Sequence, residues 1–185
     1  MRSLLFLLSI LLLSACNTLP VQPNKSLRQE LLALVKADQA VMGKSEAEKN
    51  AVIRDEVARL KVIIRKHGWP SISMVGKDGA QAAWLMAQHA DFDLPFQKSV
   101  LSRMEKLAEA KEVNLENLAY LRDRVARNDG KLQIYGTQGS CNGKTYEPFT
   151  LRDAENVDAL RAKMAMQPLQ SYIEFASRVM CSEKL

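Results

Sequence analysis

Residues 4 to 13 are apolar apart from Ser9 and follow a single basic residue, Arg2. Crossing a bilayer takes roughly 20 apolar residues, so the run is too short to span one and reads as a secretory leader. Residues 17 to 24 carry two prolines and no charge, the composition of a short tether. From Ser26 the pattern turns helical, with Leu27, Leu31, Leu34 and Val41 recurring near the 3.6-residue period. Ser45 with Glu48 three residues later forms a reciprocal cap and predicts a second helix through Ile53, Val57, Leu60 and Ile64 to Gly68. Asp78-Gly79 predicts a third from Ala80 to Ala90. Asp93 and Pro95 open a fourth, with Val100, Leu101, Met104 and Leu107 on one face. Asn114 caps a fifth, built on Leu115, Leu118, Leu121 and Val125 and closed by Asp129-Gly130.

The period then changes. Lys131 to Thr137 alternates apolar and polar residues, which predicts a strand, and Tyr146 to Leu151 is its expected hairpin partner, with Pro148 confining that second strand to an edge. Two further helices are predicted near Ala154 to Met164 and Pro168 to Cys181. The fold expected is mainly α: a single compact helical domain of about seven helices with one small β-hairpin, over 26–185. It follows a signal peptide at 1–15 and a lipidated cysteine and tether at 16–25. Charge alters this picture little, since 26 Lys+Arg and 21 Asp+Glu are interspersed, with no clustered basic face, and no nucleic acid partner is expected. Bases at the end of the second helix, Arg65 and Lys66, suit the helix dipole.

Leu13-Ser14-Ala15-Cys16 resembles the lipobox of bacterial lipoproteins. The resemblance implies a diacylglyceryl group on Cys16, cleavage before it, and a membrane partner reached through those acyl chains. At about 0.8 kcal/mol per buried methylene, two or three chains hold a protein at a bilayer almost permanently. Asn17, at the position after the cysteine, implies an outer-membrane address facing the periplasm. The alternative is an ordinary leader with a coincidental cysteine. In an oxidising compartment the remaining pair, Cys141 and Cys181, reads as a disulfide, because neither lies in a C-x-x-C and only two histidines exist to assist a thiol or a metal.

Chemistry is sparse. His89 is the one plausible neutral-pH base, in Gln88-His89-Ala90-Asp91-Phe92-Asp93. This segment offers nitrogen and oxygen ligands at alternate positions, yet Asp91 and Asp93 also fit a helix exit and an N-cap, so neither a metal nor another cofactor is expected. Asp123 and Arg124 point away from the apolar stripe of the fifth helix and read as solvated charges unless the following hairpin covers them. Gln133, Tyr135 and Thr137 share one face of the predicted strand, and Gly136 permits close backbone approach. No Ser/His/Asp order, phosphate loop or dinucleotide glycine pattern is present.

Gly68-Trp69-Pro70, Gln88-His89-Ala90-Asp91, Gln97, Tyr120-Leu121-Arg122-Asp123-Arg124-Val125, Gln133-Ile134-Tyr135-Gly136-Thr137-Gln138 and Val157-Asp158-Ala159-Leu160-Arg161 together resemble a bacterial domain family of unknown function. Its members share Q-H-A-D, D-R-V and Q-x-Y-G-T-Q segments in this order. The resemblance covers about residues 65 to 172 and implies a shared reason for His89, Asp123, Arg124, Gln133, Tyr135 and Gln138. It assigns no activity, and Cys141 is not part of its pattern. The resulting expectation is an envelope lipoprotein with a polar pocket. Arg124, Gln133, Tyr135, Gln138 and Gln88 would bind an unidentified small-molecule or protein ligand there. One alternative is a periplasmic hydrolase or transferase in which His89 is the general base, positioned by Asp123. The other is a structural lipoprotein without a site.

Overall fold

The computed structural model describes residues 23–41 and 43–181. The expected signal peptide, Cys16 and the tether before residue 23 lie outside the described residues. Seven helices and one hairpin follow in the order α1 (Lys25–Ala40), α2 (Glu46–His67), α3 (Ile72–Gln88), α4 (Leu94–Ala108), α5 (Leu115–Asn128), β1 (Gly139–Asn142), β2 (Thr145–Pro148), α6 (Val157–Lys163) and α7 (Leu169–Met180). Among them none is long and apolar enough to cross a membrane.

Four of the helix starts, those of α1, α2, α4 and α5, carry side-chain caps. Asn24 accepts the Leu27 amide at 3.0 Å, Ser45 and Glu48 cap reciprocally, Asp93 accepts Phe96 N–H, and Asn114 accepts Asn117 N–H. Each of these caps satisfies amides that have no partner inside the helix. Helix α3 begins eight residues ahead of the predicted Ala80. A first turn forms at Ile72–Val75, and the chain breaks helical geometry at Gly76 (φ 78°) before continuing, so the Asp78-Gly79 signal marks a point inside a kinked helix.

Helix α3 is the centre of the domain. Its small buried face, Ala82, Ala83, Met86 and Ala87, lets Leu31 and Leu34 of α1, Leu60 and Ile63 of α2, and Leu118 and Leu121 of α5 pack into one core. A smaller cluster of Tyr146, Tyr172, Ala176 and Cys181 holds α7 against the hairpin. The cysteine pairing is as expected: Cys141 of β1 is bonded to Cys181 after α7, with Cα atoms 5.5 Å apart.

The hairpin is displaced from its predicted position. Strands β1 and β2 pair antiparallel with Cys141 opposite Tyr146 and Asn142 opposite Thr145, around Gly143 at φ 58°. Residues 131–137 form no strand, and only an isolated parallel bridge joins Gln133 to Leu151. Two causes are visible. Gly136 sits at φ 73°, which no extended strand adopts, and the amides of Ile134, Tyr135 and Thr137 are claimed by a side chain of α5.

Candidate functional site

That side chain is Asp123, which is 0% exposed. Its Oδ1 accepts Ile134 N–H at 2.7 Å, and its two oxygens take Tyr135 N–H, Thr137 N–H and Thr137 Oγ1–H, the last two at 3.0 Å. Surface solvation was the sequence expectation; the loop covers this flank so completely that the carboxylate is instead a nest for backbone amides. From the other side Arg161, buried at 1% exposure, donates to Tyr135 O at 2.6 Å and Gln167 O at 2.6 Å. Burial lowers the guanidinium's pKa. The 133–138 loop is thus clamped between an acceptor and a donor.

Gln133 and Gln138 complete the clamp. The Gln133 amide imitates a strand neighbour, giving hydrogen bonds to Gln138 O and Phe149 O and receiving Gln138 N–H. Tyr146 and Tyr172 both donate their hydroxyls to Thr137 O. Tyr135 is 5% exposed, and its hydroxyl accepts from Arg122 at 2.9 Å. Of the residues expected in a pocket, Asp123, Gln133, Tyr135 and Gln138 are therefore buried architecture.

Arg124 links this loop to the segment after α3. Its Nε and Nη2 donate to Asp91 at 2.9 and 2.8 Å, and Nη1 donates to Gln138 Oε1 at 3.0 Å. Asn128 also donates to Asp91 and to Gln97 Oε1, while the Gln97 amide caps the α3 carbonyls of Ala87 and Gln88. Burial alone would raise the Asp91 carboxyl, but the hydrogen bonds from Arg124 and Asn128 and the Arg124 charge outweigh it and hold it below the usual carboxylate range. The Q-H-A-D, D-R-V and Q-x-Y-G-T-Q segments are one connected hydrogen-bond network.

A cleft of about 790 Å³ opens beside it, lined by Asp38, Lys49, Asn50, Arg54, His89 and Phe92 among others, with Asp91 and Arg124 at its back. His89 and Arg124 are the two expected site residues that share it. Gln88 is buried beneath, its Oε1 without a hydrogen-bond partner among the described residues. His89 is not positioned by Asp123: its Nδ1 lies 3.3 Å from Asp38 Oδ1, on α1, and Nε2 makes no hydrogen bond among the described residues. The Arg54 guanidinium stands 4.3 Å from the centroid of the half-exposed Phe92 ring, the distance of a cation–π contact.

Behind Asp38 lies a group that sequence reasoning missed. Glu56 is 2% exposed, and neither carboxyl oxygen has a hydrogen-bond partner among the described residues. Burial, with the nearby Asp38 and Asp55 charges, pushes its pKa up to about 7. A signal existed: Glu56 falls on the apolar stripe of α2 with Ile53, Val57 and Leu60. Because the folded-state value exceeds the usual 4.5, the native protein holds a proton that the unfolded chain has lost. Stability therefore falls as pH rises from about 4.5 to 7, and above that range the whole cost of about 3 kcal/mol is present. Glu56→Gln is expected to remove this slope, so that denaturant unfolding of parent and variant diverges by that amount between pH 4 and pH 8. Parallel pH profiles would contradict it.

Compared with known proteins, residues 25–180 match the model of a family of unknown function (DUF6624). No curated protein matches the chain, and no solved structure does.

Proposed function

We propose, for a chain that belongs to this family of unknown function, that it is an envelope lipoprotein, acylated at Cys16, which binds a small anionic molecule in the His89 cleft. The supporting observation is the charge arrangement in that cleft. Asp91 already neutralises Arg124 through two hydrogen bonds, and among the described residues Lys49 pairs with Glu46 alone, itself 82% exposed. Arg54 has no carboxylate partner among the described residues and is steadied on the Phe92 face. A guanidinium held in this way, with Asn50 and His89 beside it, suits a carboxylate or phosphate better than a neutral ligand. Behind them the Asp91–Arg124–Gln138 network sets the back wall.

Isothermal titration calorimetry with succinate and inorganic phosphate tests this reading. Arg54→Ala is expected to weaken binding at least about tenfold, the scale of one charge-assisted hydrogen bond. Failure of both anions to bind, or equal affinity in Arg54→Ala, would sink it.

A second reading has its own support. Asp38 on Nδ1 leaves His89 Nε2 as a proton acceptor toward the cleft, the arrangement of a general base oriented by a carboxylate. Water would be the nucleophile. Under this reading His89→Gln removes turnover and spares anion affinity, and Asp38→Asn lowers turnover with little change in KM.

A further inference from the structure

A second cavity, of about 440 Å³, lies between the start of α3 and the start of α5 and is lined by Trp69, Gln81, Trp84, Met104, Val113 and Asn117 among others. Its size falls in the range of about 300–1,000 Å³ typical of small-ligand sites. Its chemistry differs from that of the His89 cleft. Among the described residues the ionic groups on its lining are Lys77 and Asp78, and Asp78 is already paired with Arg28 of α1. Among the described residues no arginine lines it, and its one cation, Lys77, is exposed to solvent.

Of the three amides on the lining, Asn114 caps α5, and Gln81 and Asn117 are half satisfied. Asn117, 8% exposed, donates from Nδ2 to Gln81 Oε1 at 2.5 Å. One N–H···O bond consumes one donor and one acceptor, so among the described residues Gln81 keeps a free NH₂ and Asn117 a free carbonyl; with the two amides turned over the roles simply exchange. An entirely apolar occupant would displace water from the Asn117 carbonyl, on a residue 8% exposed, without replacing that hydrogen bond, a loss that offsets part of its gain. The occupant that fits best presents a donor and an acceptor on neighbouring atoms, and an apolar face toward the indoles and Met104. A pyranose ring has both: C–H bonds on one face, and vicinal hydroxyl or acetamido groups at its edge.

We infer that this cavity is a binding site for a neutral sugar ring, with the Gln81–Asn117 amide pair reading its vicinal polar groups and tryptophan forming the apolar wall. The site is separate from the anion cleft and does not depend on that reading. The chain has two tryptophans in all, and both line this cavity; Trp69 also borders an opening beside Ser99, Arg103 and Leu107, so a change in intrinsic emission is assigned to this cavity only where Gln81→Ala diminishes it.

The test titrates the purified protein with tri-N-acetylchitotriose and with maltotriose while following that emission. At least one is expected to give a saturable change, and Gln81→Ala, whose side chain is exposed and whose loss leaves the fold intact by circular dichroism, should weaken it at least fivefold. Succinate should leave the emission unchanged. Three results would overturn the proposal: no saturable response to either sugar at millimolar concentration, an undiminished response in Gln81→Ala, or a response to an alkyl probe such as hexanol with none to the sugars.

Discussion

Asp123→Ala is expected to destabilise the protein by about 4 kcal/mol, enough to unfold a marginal domain. The carboxylate accepts from three backbone amides and one hydroxyl, all inside the protein, and each buried donor left without an acceptor costs about 1–3 kcal/mol. Asp123→Asn keeps the volume but turns one acceptor atom into a donor facing N–H groups, so its loss should be smaller yet still above about 2 kcal/mol. Urea unfolding followed by far-UV circular dichroism measures both. A loss below about 1 kcal/mol for the alanine variant would mean that the loop amides find other partners and that Asp123 is not what shapes the loop.

Removal of the Cys141–Cys181 bond is expected to cost nearly as much. The bond joins residues 40 apart in sequence, and loop closure of this size stabilises by about 4 kcal/mol on the chain-entropy estimate. Cys141→Ser with Cys181→Ser should lower the urea midpoint accordingly. The loss should be local in its dynamics: amides of β1, β2 and α7, which the bond ties together, should exchange faster, while anion affinity at the His89 cleft stays as in the parent. A cleft that fails together with the bond would show that the hairpin and the cleft are one cooperative unit.

Much of the helical frame was legible from local chemistry. Ser45, Asp93 and Asn114 are caps whose side chains reach amides three residues ahead, and such contacts depend only on nearby sequence; Asn24, read as the end of the tether, is a fourth. Residues 131–137 were not legible, because alternation at period two describes a half-buried strand equally well and the deciding partner, Asp123, lies on another element. The same holds for His89. Its partner Asp38 is 51 residues away on α1, and nothing between them signals the pairing. Shared motif residues also mislead in one direction. They were expected to line a pocket, yet Asp123, Gln133, Tyr135 and Gln138 serve to build the wall behind it, and the side chains left for a ligand, Arg54, Lys49 and Asn50, sit on α2 in an ordinary solvated pattern.

The central claim is that the cleft beside this network, and not the network itself, meets an anion. The most direct measurement is a two-dimensional nitrogen–proton NMR titration of the protein with succinate, including the side-chain signals of His89 and Arg54. Saturable shifts confined to Asn50, Arg54, His89 and their neighbours are expected, with the Ile134, Tyr135 and Thr137 amides unmoved. Shifts centred on those loop amides instead, or none around His89 at saturating anion, would contradict it.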